Sequence, residues 1–190
     1  MASQYGGPVG GDVYATTDAL VVARSSSFTG SQAAFGASIS LHSLSVGNVT
    51  RCRFLETSGF TGGVFHVSES STLAVARSAF DGAEANEGGV GVFGLQSAAS
   101  FESCSLVNNH ANFDASVFLA QQASALSLRN CTVRFNSAGS GATVVLRSGS
   151  AAKLSHVDLT DNHLQALDPT RPSHAAGVSC SLSSMELGPG

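Results

Sequence analysis

A glycine-rich step recurs along this chain at a nearly constant interval. The six steps are Gly10-Gly11, Gly36-Ala37, Gly62-Gly63, Gly88-Gly89, Asp114-Ala115 and Gly141-Ala142. The first four intervals are identical, and the last is longer by a single position. A period of this length is typical of a solenoid, in which each repeat buries its apolar face against its neighbours. The period therefore predicts one stacked domain.

A second column keeps the same period and is apolar throughout. Its members are Phe28, Phe54, Phe80, Leu106, Val133 and Leu159. Short alternating runs such as Ile39-Ser40-Leu41 favour strands over helices. Two further columns predict the inward face of one strand: Val13, Ile39, Phe65, Gly91, Val117 and Val144, then Ala15, Leu41, Val67, Phe93, Leu119 and Leu146.

These columns predict an all-β chain folded as a right-handed parallel β-helix of about 26 residues per coil. We expect two strands per coil with room for a short third, in six clear coils and a partial seventh. The expected single domain, 1–190, comprises an N-terminal extension (1–9), regular coils (10–164), a proline-containing loop (165–174) and an irregular last coil (175–190). We expect it to be a segment of a larger protein.

Composition limits the possible partners. Only 12 % of the residues are charged, the formal net charge is −4 and no basic run is present, so we do not expect nucleic-acid binding. No apolar stretch has the roughly 18 to 20 residues of a membrane-spanning helix. The four cysteines form no Cys-x-x-Cys pair, so we expect neither a metal nor a cofactor.

The repeat unit combines a Gly-Gly-Val step, a Cys-x-Phe/Leu segment and an Asn-x-Ala segment. Its instances include Gly62-Gly63-Val64, Cys52-Arg53-Phe54, Cys104-Ser105-Leu106, Asn109-His110-Ala111 and Asn136-Ser137-Ala138. Over residues 10–164 this unit resembles the right-handed β-helix repeats of chlamydial polymorphic outer-membrane proteins and of similar surface proteins in algae and protists. The resemblance implies an extracellular or cell-surface protein that adheres or builds structure.

Several residues are candidates for modification or bonding. Asn48-Val49-Thr50 and Asn130-Cys131-Thr132 are N-glycosylation sequons whose asparagines should point outward. The cysteines, including Cys180, are expected in one interior column as buried free thiols. A disulfide between Cys104 and Cys131, in consecutive coils, is the alternative.

Two sets of residues are candidates for a functional site. The outward column His66, Val92, Phe118 and Val145 places large apolar groups where solvent is expected, which indicates a binding strip. The alternative is that the N-terminal segment or the 165–174 loop covers it. β-Helices of the pectin-lyase-like class also host polysaccharide lyases and hydrolases, which need clustered carboxylates near a basic residue. The candidates for catalysis are His156, Asp158, Asp161 and His163.

The function that we expect is a non-catalytic structural or adhesive module. It would associate with protein partners, with copies of itself or with carbohydrate, through a lateral face or the coil ends. One alternative is a carbohydrate-active enzyme. A second is an intracellular fibre or scaffold, in a cytoskeletal or ciliary location.

Overall fold

The computed structural model describes residues 10–164, 177–181 and 183–188. These residues form 26 strands and contain no helix. Each of the first six coils contributes four strands, so the expectation of two or three strands per coil is wrong. The additional strands have two to five residues, too few to show a clear alternating pattern in the sequence.

The strands follow one another in the same order in each coil. Coils 1 to 3 contain β1 (Val13–Ala15), β2 (Leu20–Arg24), β3 (Ser27–Thr29), β4 (Gln32–Phe35), β5 (Ile39–Leu41), β6 (Val46–Thr50), β7 (Arg53–Leu55), β8 (Ser58–Thr61), β9 (Phe65–Val67), β10 (Thr72–Ala76), β11 (Ala79–Asp81) and β12 (Glu84–Glu87). Coils 4 to 6 contain β13 (Gly91–Phe93), β14 (Ala98–Glu102), β15 (Ser105–Val107), β16 (His110–Asp114), β17 (Phe118–Ala120), β18 (Ala125–Arg129), β19 (Thr132–Arg134), β20 (Ser137–Ser140), β21 (Val144–Arg147), β22 (Ala151–Ser155), β23 (Asp158–Thr160) and β24 (His163–Leu164). Coil 7 contains β25 (Val178–Ser181) and β26 (Ser184–Leu187).

Equivalent strands of successive coils pair in parallel and form four sheets. Sheet 1 contains the first strand of each coil, from β1 to β25, and sheet 2 contains the second, from β2 to β26. Sheets 3 and 4 contain the third and fourth strands of coils 1 to 6. Phe54 pairs in register with Phe28 on one side and with Phe80 on the other. The prediction that residues one period apart lie above one another is therefore confirmed.

Within the first six coils, one strand interrupts the constant offset between coils. In β16, Ala111 pairs with Ala85 but Asp114 pairs with Glu87, so two residues stand opposite the single Asn86. This is a β-bulge, which inserts one residue into one strand of a pair. The bulge lies before the glycine-rich step, whereas the sequence alignment placed the extra residue after it.

Because of the bulge, the observed register between coils 4 and 5 differs by one residue from the predicted register. Gly91 pairs with Phe118 and Phe93 with Ala120, so the inward residues of β17 are Phe118 and Ala120, where Val117 and Leu119 were predicted. Leu119 faces outward, and Val117 precedes the strand and is also buried in the main core. The equivalent of Gly88 is Ala115, which has a φ of 58° where the other five of the first six coils have glycine. A left-handed φ is costly for a residue with a Cβ, so the missing glycine is a local source of strain.

The interior is a continuous apolar column. The rings of Phe28 and Phe54 stack 4.8 Å apart, and those of Phe54 and Phe80 stack 5.0 Å apart, with interplanar angles of 5° and 3°. Phe65 packs edge-on against both Phe54 and Phe80. Offset-stacked and edge-to-face pairs of this kind add to the free energy of burying the rings.

Polar ladders occupy the turns between sheets. Asn109, Asn136 and Asn162 follow one another at the turn from sheet 3 to sheet 4. The Asn109 side chain donates to that of Asn136, and the Asn136 side chain donates to that of Asn162. A serine ladder occupies the turn from sheet 1 to sheet 2, where Ser97 and Ser124 hydroxyls lie 3.4 Å apart. Buried polar groups are stable only when hydrogen-bonded, so these ladders fix the turns of adjacent coils together.

Coil 7 departs from the repeat. Val178 pairs with Val144, and the segment between these partners is longer than the segment between paired residues of the earlier coils. The predicted loop (165–174) lies within this longer segment, outside the described residues.

Candidate functional site

The predicted apolar strip on sheet 1 does not form an exposed surface. Phe118 belongs to the main core, because the bulge in β16 turns it inward and turns Leu119 outward. The outward residues are themselves buried in a second apolar cluster, which contains Val92, Ala115, Leu119, Ala142 and Val145. The expectation that this strip faces solvent is therefore wrong.

The turns before the sheet 1 strands explain part of this burial. A Cβ added to Gly88 would lie 2.6 Å from Cγ2 of Val92, and one added to Gly141 would lie 3.4 Å from Cγ2 of Val145. Each turn thus folds over the outward side chain of the strand that follows it. The sheet 1 outer face helps to hold the corner of the solenoid together.

His66, the polar member of that strip, lies in a partly buried cluster of rings. Its ring centroid is 5.1 Å from that of His42 and 5.4 Å from that of Phe35. Burial lowers the pKa of His66 to about 4, with the neighbouring His42 adding to this effect and Glu69 opposing it. Burial also lowers the pKa of His42, whose Nδ1 lies 2.7 Å from the Ser68 hydroxyl. The cluster therefore favours neutral imidazoles.

The candidate catalytic residues do not converge. Asp158 forms an ion pair with Arg134 of the preceding coil. His156 and Asp161 occupy left-handed turn positions at opposite ends of β23, and both are exposed. His163 is exposed on sheet 4. The one carboxylate of the set with an ionic partner is thus engaged in a contact between coils.

Three of the cysteines lie in the predicted interior column, and one does not. Cys52, Cys104 and Cys131 are buried free thiols at the turn from sheet 2 to sheet 3. A hydrogen bond with Cys131 and burial raise the pKa of the Cys104 thiol, so it stays protonated. Cys180 is exposed on β25 beside Leu146, in a different sheet, because the longer offset of coil 7 changes its register.

Both sequon asparagines are exposed. Asn48 lies on the outer face of sheet 2, and Asn130 occupies a left-handed position in the turn from sheet 2 to sheet 3. Their glycosylation stays a prediction.

The outer face of sheet 2 forms a shallow groove. Its volume is about 560 Å³ and it runs across several coils. The outward residues are mostly small, such as Ala74, Ala98, Ala125 and Ala151. Shape alone does not select a ligand for this groove.

The outer face of sheet 4 carries a network of polar side chains. Asn112 Nδ2 donates to Asn86 Oδ1 over 2.9 Å. His110 Nε2 lies 3.3 Å from Asn112 Oδ1, and His110 Nδ1 lies 2.8 Å from the Ser137 hydroxyl. Because Asn112 Oδ1 can only accept, Nε2 of the imidazole donates. We call Asn86, His110, Asn112 and Ser137 the polar row.

Two exposed aromatic rings stand beside the polar row. Phe113, 53 % exposed, is part of the bulge in β16, and the Ser140 hydroxyl donates to its carbonyl over 2.9 Å. Phe135, 54 % exposed, precedes β20 with a φ of 57°. The equivalent turn residues Gly30, Glu56, Gly82, Asn108 and Asp161 also have positive φ, so this conformation is a regular feature of the repeat. The exposure of Phe113 therefore depends on the bulge, whereas Phe135 occupies a regular turn position.

Sequence reasoning missed this surface. The single longer interval in the glycine column indicated an inserted residue. The column did not show that this residue lies in β16, before the glycine-rich step. The signal that could have located it is the pair Asn112-Phe113, where earlier coils have a single residue between the paired positions.

No protein-family model, no curated protein and no solved structure matches the chain. The proposed function therefore depends on the fold and the local geometry. Among the described residues, no helix is long and apolar enough to span a membrane. The same residues contain no group of three or more His, Cys, Asp or Glu side chains arranged to hold a metal ion.

Proposed function

We propose that this chain is a non-catalytic structural or adhesive module of a cell-surface or extracellular protein. The observation that supports this proposal is the unbroken stacking of six coils, locked by apolar and polar ladders. Such a solenoid is rigid along its axis and presents long lateral faces, which suits extended contacts with a partner. The resemblance of its repeat unit to chlamydial, algal and protist surface repeats agrees with this role.

The exposed sequons support the proposed location. Glycosylation needs an accessible asparagine, and Asn48 and Asn130 are both exposed. Detection of a glycan on either residue in protein from its natural source would exclude the cytoskeletal or ciliary alternative. Protein that carries no glycan and localises to the cytoplasm would contradict the surface assignment.

An adhesion assay tests the function directly. Beads coated with the folded domain should adhere to cells or extracellular matrix, and beads coated with the heat-unfolded domain should not. Adhesion that does not depend on folding would contradict the proposal, because a lateral face exists only in the stacked coils.

An enzymatic role is the principal rival. The domain is incubated with acidic and neutral polysaccharides, and the release of reducing or unsaturated ends is measured. We expect no turnover, because Asp158 forms an ion pair with Arg134, His156 and Asp161 lie in turns at opposite ends of β23, and His163 lies on β24. Turnover that disappears in Asp158→Asn or Asp161→Asn would overturn the proposal in favour of an enzyme.

A further inference from the structure

Two exposed aromatic residues, Phe113 and Phe135, lie at the surface of sheet 4. Phe135 occupies the left-handed turn position before the sheet 4 strand, which Gly30, Glu56, Gly82, Asn108 and Asp161 occupy in the other five of the first six coils. Phe113 is exposed because an extra residue bulges out of β16. Bulges are over-represented next to functional sites, where they redirect a side chain.

The rings and the polar row occupy one continuous surface. Asn86 lies in coil 3, Asn112 and Phe113 in coil 4, and Phe135 and Ser137 in coil 5. With parallel strands about 4.8 Å apart, the row extends roughly 10 Å along the axis of the solenoid. Phe113 lies near the end of one strand and Phe135 just before the start of the next coil's strand, so the rings lie on opposite sides of the row.

The polar row is organised before any ligand binds. Asn112 is held by both Asn86 and His110, and His110 is also held by Ser137. Side chains that are already fixed lose little conformational entropy on binding. Amide, imidazole and hydroxyl groups both donate and accept hydrogen bonds, which matches a ligand rich in hydroxyl groups.

The charges around the row select among such ligands. Asn86, Asn112 and Ser137 carry no formal charge, so these three members of the row offer hydrogen-bonding groups and no ionic partner. Glu84, exposed on β12, is the register partner of His110 and would repel an anionic ligand. Exposed rings with uncharged hydrogen-bonding groups fit sugars, whose faces are apolar and whose edges carry hydroxyls.

We propose that the outer face of sheet 4 binds a neutral glycan chain that lies along the axis of the solenoid. The polar row bonds to its hydroxyl groups, and the rings of Phe113 and Phe135 pack against the apolar faces of its sugar units. This inference rests on the proposed adhesive function and specifies the surface and the ligand class.

Calorimetric titration with defined oligosaccharides tests the site. Cellohexaose, laminarihexaose and chitohexaose serve as neutral probes, and hexagalacturonic acid serves as the acidic probe. We expect saturable binding of at least one neutral probe and no binding of the acidic one. Preferential binding of hexagalacturonic acid, or binding of none of the four, would overturn the inference.

Variants locate the site. Phe135→Gly should weaken binding of the neutral probe about tenfold, as expected when an aromatic contact is lost from a binding site. It should leave the domain at least as stable, since glycine suits the left-handed turn. Asn112→Ala should weaken binding comparably. The control Leu44→Ser removes an exposed apolar side chain from the turn between sheets 1 and 2 and should leave affinity unchanged. Equal affinity of all three variants and the natural sequence would place the binding elsewhere and refute the inference.

The bead assay separates this inference from the proposed function. Adhesion that is lost in Phe135→Gly and after glycosidase treatment of the target surface supports both. If adhesion survives glycosidase treatment but is lost after protease treatment, the partner is a protein and the glycan site is refuted while the adhesive function stands. If the natural domain does not adhere but binds the neutral probe, the glycan site stands without the adhesive role.

Discussion

The asparagine ladder makes Asn136 a sensitive test of how the coils are held together. Its Oδ1 accepts from the main-chain N–H and from Nδ2 of Asn109, each over 2.9 Å. Its Nδ2 donates to the Leu106 carbonyl over 3.0 Å and to Asn162 Oδ1 over 2.8 Å. Asn136 itself is fully buried, so water cannot replace these bonds without opening the stack.

Asn136→Ala removes all four bonds at once. It leaves the main-chain N–H of Asn109 and the Leu106 carbonyl without their side-chain partner in a buried turn. An unsatisfied buried group costs about 1–3 kcal/mol, so we expect the free energy of unfolding to fall by about 3–5 kcal/mol. This is a large fraction of the roughly 5–15 kcal/mol that stabilises a domain.

Urea denaturation followed by circular dichroism measures the effect. Asn48→Ala is the matched control, because Asn48 is exposed and its register partner in the next coil is Ala74. We expect the control to change stability by less than about 0.5 kcal/mol. A loss in Asn136→Ala no larger than that of Asn48→Ala would refute the reasoning, since the ladder would then contribute nothing to stability.

Three further predictions concern the core, the turns and pH. Phe54→Ala should lower the free energy of unfolding by about 3–5 kcal/mol, because Phe54 is fully buried between stacked rings. Phe28→Ala, in the partly buried first coil, should lower it by less. Equal losses in denaturant titrations would contradict this prediction. Phe135→Gly should raise the free energy of unfolding by about 1 kcal/mol, and a lower melting temperature would show that the left-handed φ carries no strain. The pKa of His66 in the folded state is about 4, below its ordinary value of 6.5, so the folded protein binds fewer protons than the unfolded chain. The contribution of His66 to the free energy of unfolding is therefore fully present above pH 6.5. It is lost as the pH falls toward 4, by up to about 3 kcal/mol. His66→Val, which installs the residue found at its register partner Val92, should remove most of that loss, leaving the part due to His42; an unchanged pH profile would contradict the assignment.

The sequence sufficed to predict the stacked coils because residues one period apart in a solenoid contact one another. Phe28, Phe54 and Phe80 are apolar at one interval, and a solenoid is the arrangement that buries them against one another. The number of strands per coil was harder to predict. Strands such as β3 and β7 have three residues, and their ends are set by left-handed turn residues such as Arg51 and Glu56, which carry no glycine signal.

The local register could not be predicted from the glycine column alone. The left-handed position that glycine occupies in the equivalent turns is occupied here by Ala115. Without a glycine to mark this position, the predicted column contained the neighbouring Asp114 instead. The error of one residue exchanged the inward and outward faces of β17, because side chains alternate along a strand. The surface of sheet 4 was missed for the same reason, since Phe113 is the inserted residue.

Interstrand nuclear Overhauser effects between backbone protons test the central claim, the stacking of equivalent strands. We expect contacts between Phe54 and Phe80 and between Gly91 and Phe118, which are register partners in successive coils. Contacts between strands that follow one another along the chain, as in antiparallel hairpins, would contradict the solenoid. Contacts of Gly91 with Val117 in place of Phe118 would contradict the bulge in β16 and the surface derived from it.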